Sequence, residues 1–206
     1  MANDQGKSYG ATPIFNPQSP PVILYYKAET GATLDYFRGQ YVAINSRGNV
    51  QPIAPSDNVA SCGVAWLFED TNLAGLPSGM TSLSQGAYLP RATDGYVGVI
   101  VDPAQLYLME EITGGTAMSA NSIGYLVNFT YTATTGNTTT GFATTVLQNS
   151  SIATGTGPLL QLMNVYNITN QDGTTNAPGD SCKWVVRIMR HQFGNACISV
   201  PQALTV

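Results

Sequence analysis

The residues able to do covalent or acid–base chemistry are few and scattered. The chain has one histidine, His191, between Arg190 and Gln192 in the run VVRIMRHQF. Any Ser-His-Asp or Cys-His arrangement must use it, and its place near the end of a strand-like run favours a structural role. The three cysteines, Cys62, Cys182 and Cys197, are odd in number and widely spaced. They fit neither a disulfide framework nor the paired short spacings of a zinc site, and read as buried reduced thiols. The acidic neighbours Glu69-Asp70 and Glu110-Glu111 point to opposite faces if they lie in strands, so neither pair is a catalytic dyad by itself. Carboxylates brought together from separate strands, such as Asp94, Asp102 or Glu110, leave a polysaccharide hydrolase as one rival reading. No HExxH, GxSxG, GxxxxGK[ST] or GxGxxG occurs, so the motifs that announce metal, acyl-transfer or nucleotide chemistry are missing. No catalytic residue, cofactor site or metal ligand is assigned, and an enzyme is not expected.

What fills the chain instead is weakly charged. From residue 92 to residue 182, ninety-one positions hold no lysine or arginine. Such a stretch cannot grip a phosphate backbone by charge. With a net charge of −4 and a pI near 4.7, nucleic acid is not an expected partner. Charged residues make up 10% of the whole, against about 25% in ordinary soluble domains. So few charges suggest that much of the surface meets a partner. The hydrophobic fraction, 43%, is enough for a real core. No run approaches the roughly 18 apolar residues of a membrane span, and MANDQGKSYGATPIF lacks the apolar run of a signal peptide. Synthesis in a cytoplasm is the expectation.

The elements that must carry this surface read as strands. Residues 1–21 form an extended arm with Pro13, Pro17, Pro20 and Pro21, where helix is blocked. Within it, Ile14, Phe15 and Pro17 are the candidate partner contacts, laid on a neighbouring chain. Residues 22–206 form the β-rich body, with two subdomains divided near 90–95 as one option. VILYYKA, QYVAI, VQPIA, CGVAWLF, YVGVIV, SIGYLVNFTYTATT, LLQLMNVYNI and KWVVRIMRHQF are β-branched or aromatic runs between turn residues. The segment NSRGN between QYVAI and VQPIA marks a hairpin. Along SIGYLVNFTYTATT, Tyr125, Val127, Phe129 and Tyr131 alternate onto one face. LYLMEE suits a short helix by propensity, but its flanks favour strand. No window of 12 or more residues shows a helical stripe, and exact repeats are absent. The sum is an all-β protein, a sandwich or barrel of eight to twelve short antiparallel strands with an extended N-terminal arm.

The order FRGQYVAI, VQPIA, CGVAWLF, VIVDPAQLYLMEE, SIGYLVNF, TTGNTTTGF, GPLLQLMNVYN and WVVRIMRHQF resembles that of capsid decoration (cement) proteins of tailed bacteriophages, over roughly residues 30–193. The resemblance implies a β-rich homo-oligomer, a trimer by preference, bound to the major capsid protein on the exterior of the virion. It implies no active site, cofactor or metal. The rival reading is a phage fibre, tail or adhesin-like module that binds host glycans through the Thr/Gly-rich tips at 132–141 and 149–157.

Overall fold

The computed structural model describes residues 10–14, 20–55, 57, 59–70, 88–153, 159–169 and 173–194. They form β1 (Thr12–Pro13), β2 (Ile23–Lys27), β3 (Tyr36–Phe37), β4 (Gln40–Ile44), β5 (Val50–Pro52), β6 (Gly63–Asp70), β7 (Tyr88–Leu89), β8 (Gly95–Ile100), β9 (Leu106–Glu110), β10 (Leu126–Gly136), β11 (Ala143–Ala153), β12 (Leu160–Val165) and β13 (Lys183–Ile188). Among the described residues the only helical element is a 3-10 turn at Ala120–Ser122. The protein is all-β, as the alternating runs require. LYLMEE is strand: Tyr107 and Met109 point into the core between half-buried Leu106, Leu108 and Glu110. That is the period of two that a helix cannot give.

Two sheets carry the architecture. One has the strand order β2-β8-β6-β4-β5, the other β1-β9-β13-β12-β10-β11, and β3 pairs with β7 in a small third sheet. All named strand pairs are antiparallel. Each large sheet curls until its ends meet. Just past β2, Ala28 bridges Val50 in parallel; just past β9, Glu111 bridges Leu147 in parallel.

These two curled sheets repeat one plan. Set β1 aside, and β9, β10, β11, β12 and β13 stand in the same chain order and the same spatial order as β2, β4, β5, β6 and β8. The match extends to register. Val64 pairs with Ile100 and Ala65 with Val99, then a bulge leads to Leu67 opposite Gly98. In the second set Gln161 pairs with Arg187 and Leu162 with Val186, then a bulge leads to Asn164 opposite Val185. The closing bonds match as well. Glu29 N–H donates to Val50 O at 2.9 Å, and Ile112 N–H to Leu147 O at 3.0 Å. Gly39 and Gly124 occupy equivalent left-handed positions, at φ 82° and 89°. Their amides donate to Ala65 O at 2.9 Å and to Leu162 O at 2.8 Å. A side chain at such φ is strained, so glycine stands at both places. The molecule is therefore a structural duplication of a five-stranded, partly closed barrel. The halves divide at the Asp102–Gln105 turn, further along the chain than the 90–95 region read from sequence.

The halves share a core. Tyr41, Ile53, Val64 and Ile100 of the first pack in one cluster with Tyr107, Met109, Phe129, Leu160 and Trp184 of the second. Tyr41 Oη donates to Met109 Sδ at 2.8 Å across the seam. A second cluster, around Val42, Phe68, Val97 and Val99, fills the first barrel alone.

Candidate interaction surface

Could any described residues do chemistry? Ser61 and His191 are bridged neighbours in parallel, and Asp102 lies near enough to act on the imidazole. Those are the residue types of a hydrolytic triad, but the geometry does not make one. Ser61 is fully buried. Its Oγ accepts from Gly63 N–H at 3.0 Å and stands 2.9 and 2.8 Å from the carbonyls of Val42 and Gly63. The hydroxyl is spent on a β-turn-like lock of its own backbone. His191 is buried; its Nδ1 accepts from Phe193 N–H at 3.1 Å. Its Nε2 is enclosed without a hydrogen-bond partner among the described residues. Burial pulls its pKa down to about 4, only partly opposed by Asp102. This imidazole is neutral and structural, in a segment that ties the halves together. Ser61 N–H donates to Arg190 O, and Gln192 N–H to Ser61 O. The Gln192 amide takes both polar groups of the Ile44 backbone, at 2.8 and 3.0 Å.

The two buried glutamates are also structural. Glu111 is 1% exposed. It accepts from Trp184 Nε1–H at 3.0 Å and from Met118 N–H at 2.7 Å. Desolvation holds its carboxyl above the ordinary value against those hydrogen bonds. Glu29 accepts from Asn45 Nδ2 at 2.6 Å, Gly31 N–H at 3.2 Å and Asn49 Nδ2 at 3.3 Å. Hydrogen bonding from Asn45 leads the effects that hold it below the usual range. Each glutamate pins the loop beside its own barrel's closing bridge. Cys62 and Cys182 are buried free thiols, both pushed up to about 12 by desolvation. Among the described residues no three His, Cys, Asp or Glu side chains gather as a metal site.

The surface is where the unusual features lie. Of the three arm contacts read from sequence, Ile14 is placed; Phe15 and Pro17 lie outside the described residues. The placement corrects the idea of an arm given wholly to a neighbour. Thr12 and Pro13 pair with Leu108 and Tyr107 of β9 in the same chain. Ile14 N–H donates to Leu106 O at 2.9 Å, and Gln105 Nε2 donates to Ile14 O at 2.9 Å. Gly10 and Ala11 are buried, and Ala11 N–H reaches Gly39 O at 2.9 Å. Pro13 is tolerated because the strand is a sheet edge, where a missing donor faces outward. Residues 10–14 thus belong to the fold.

Exposed apolar side chains stand on both faces of β2 and on its neighbour β8. Val22, Leu24, Tyr25 and Tyr96 are each between 41% and 54% exposed. Tyr25 lies over Gly98, whose missing side chain leaves room for the ring: a Cβ there would stand 3.2 Å from Tyr25 Cε1. Lys27 of β2 pairs with Asp94 at 3.1 Å. Sequence reading passed over this exposure because VILYYKA looks like any buried strand. The signal it held was its two adjacent tyrosines, which cannot both face one core.

The Thr/Gly tip is less free than its composition implies. β10 runs through its first half, to Gly136, and Gly136 packs on the Phe37 ring. Arg38 N–H donates to Gly141 O at 2.9 Å, and Ala143 N–H to Arg38 O at 2.8 Å. Thr132, Thr134 and Asn137–Thr140 stand out into solvent there. Of the 149–157 tip, 149–153 are strand and 154–157 lie outside the described residues.

Comparison with protein-family models, with curated proteins and with solved structures finds no match for this chain.

Proposed function

We propose that this protein is a virion structural component, a capsid decoration protein that binds the assembled shell of a tailed phage and stabilises it. One observation supports the reading: a chain with only 10% charged residues exposes large apolar side chains on β2 and β8. Ser61, Glu29 and Glu111 are engaged in locking backbone, while Val22, Leu24, Tyr25 and Tyr96 stand as exposed apolar and aromatic side chains. A protein that binds only the assembled shell stabilises it by mass action. A homotrimer on a local symmetry axis multiplies modest contacts. The glycan-binding alternative rests on the Thr/Gly tips, one of which is half spent on the seam between the barrels.

The test is reconstitution. Purified protein is mixed with shells of the major capsid protein that lack decoration, and the particles are imaged by electron cryo-microscopy and heated. Ordered density at symmetry-related exterior sites, with a raised disruption temperature, is the expected result. Failure to bind shells, together with binding on a glycan array, overturns it in favour of the fibre reading.

A further inference from the structure

The duplication exposes an asymmetry. By register, Ile23 and Tyr25 of β2 are the counterparts of Leu106 and Leu108 of β9. Both strands pair on one side, with β8 and β13, and both continue into a parallel bridge on the other. Beside β9 that other side is occupied: the Ala-Thr-Pro-Ile segment at 11–14 lies along it. Beside β2, among the described residues, no strand pairs there. Yet the edge is built to be paired. Alternate residues of a strand send their N–H and C=O to the same side. Glu29 N–H points to that side, at Val50 O, so Tyr25 and Ile23 present theirs there too. Val22, Leu24 and Tyr25 flank it as exposed apolar side chains. A bare, apolar strand edge is a pairing template that proteins ordinarily cover.

The chain holds a second segment of the right kind. The described backbone ends at Gly194, where an added Cβ would stand 3.9 Å from Pro103 Cβ. Two residues before Pro103, Val101 N–H donates to Val22 O at 3.0 Å, at the head of β2. Residues 195–206, NACISVPQALTV, contain no charged residue. They place Val200 before Pro201, as Thr12 precedes Pro13. Twelve extended residues reach about 40 Å, and the five of β2 need about 17 Å.

We propose that the chain's own C-terminal segment, centred on Ile198–Pro201, covers the outer edge of β2. One terminus then completes each barrel: residues 11–14 on β9 and the tail on β2. This does not depend on the capsid reading, since it concerns the isolated chain.

Disulfide trapping in the full-length chain tests it. Cys62 and Cys182 are buried, so Cys197 is the thiol to be trapped. Leu24→Cys and Tyr25→Cys are made singly, with Thr139→Cys on the β10–β11 tip as control, and each is oxidised. The expected result is a disulfide to Cys197 in at least one of the β2 variants, within a monomer, and none in the control. Cross-linked dimers would mean that the tail of a second copy fills the edge, and no cross-link that the tail does not reach it; either overturns the proposal. Hydrogen exchange gives an independent reading. The Ile23 and Tyr25 amides should exchange about tenfold faster in full-length Ile198→Asp/Val200→Asp than in the unaltered chain, the scale of one backbone hydrogen bond. Equal rates would also overturn it.

Discussion

At the scale of single residues, the buried ionisable groups set how stability answers to pH. His191 titrates near 4 when folded, against about 6.5 unfolded. Between those values the unfolded chain binds the extra proton. The contribution of His191 is therefore complete above about pH 6.5 and is lost as pH falls through about 4. Urea unfolding at pH 7 and at pH 4.5 should show the unaltered protein losing more stability on acidification than His191→Phe does. An equal loss in both would mean that the imidazole is reached by water in the fold. Glu111 works in the opposite sense. Its carboxyl is raised, so what it contributes is complete below the ordinary carboxylate value and lost as pH rises through the higher folded one. Glu111 also satisfies the Trp184 indole and the Met118 amide. Glu111→Ala strands both buried donors and should cost about 2–5 kcal/mol. Glu111→Gln keeps one acceptor and should cost less than half of that at pH 7 by the same denaturation.

At the scale of elements, a glycine's worth depends on what its missing side chain makes room for. Gly136 of β10 lies against the Phe37 ring, in the space a Cβ would take. Phe37 in turn stacks on Tyr88 at 5.1 Å. Gly136→Ala must push the β10–β11 hairpin off the first barrel and should cost about 1–3 kcal/mol, the usual range for overpacking. Gly48 has a φ of +79° but open space around it. Gly48→Ala should cost only about 1 kcal/mol, from backbone conformation alone. Thermal unfolding of the two variants side by side checks the order. The same distinction explains what the sequence disclosed. β4, β5, β6, β8, β12 and β13 were legible because their apolar runs end in turn residues, as at Asn45–Asn49. β3 and β7 were not, since two residues carry no period. β11 was missed because ATTVLQNSSIA dilutes its apolar positions with Thr, Ser and Asn. Ile14 is held through its backbone N–H and C=O, which its apolar type beside proline does not announce. That its partner is β9 of its own chain was not legible either, because an edge strand pairs through backbone that sequence does not encode.

At the scale of the whole molecule, the duplication itself was invisible in sequence, and the reason bears on how the chain folds. What repeats is backbone register: a bulge at Trp66 and at Met163, a left-handed glycine at 39 and at 124, a parallel bridge at each closure. The side chains on that repeated frame differ. Val97 stands where the second barrel has Trp184, and Gly98 where it has Val185. The two barrels do not have equivalent surroundings: one cluster holds residues of both halves, while the cluster around Val42 and Phe68 belongs to the first alone. Tyr41, Ile53, Val64 and Ile100 are buried by residues of the second half rather than by their own barrel alone. Separating the halves would bare these side chains at about 1.5–3 kcal/mol each, a sum comparable to the total stability of an ordinary domain. It would also cut the ties from Gln192 to Ile44 and from Tyr131 Oη to Ile53 O. Two barrels of one topology should therefore not melt as two domains. Scanning calorimetry should give a single transition whose calorimetric and van't Hoff enthalpies agree. Urea curves followed by tryptophan fluorescence, from Trp66 and Trp184 in different halves, should coincide with those followed by circular dichroism. Two resolved transitions, or a folded fragment 1–103 produced alone, would show that the first barrel is held by its private cluster around Val42, Phe68 and Val97. In that case the shared cluster would be an interface between independent domains rather than a common core.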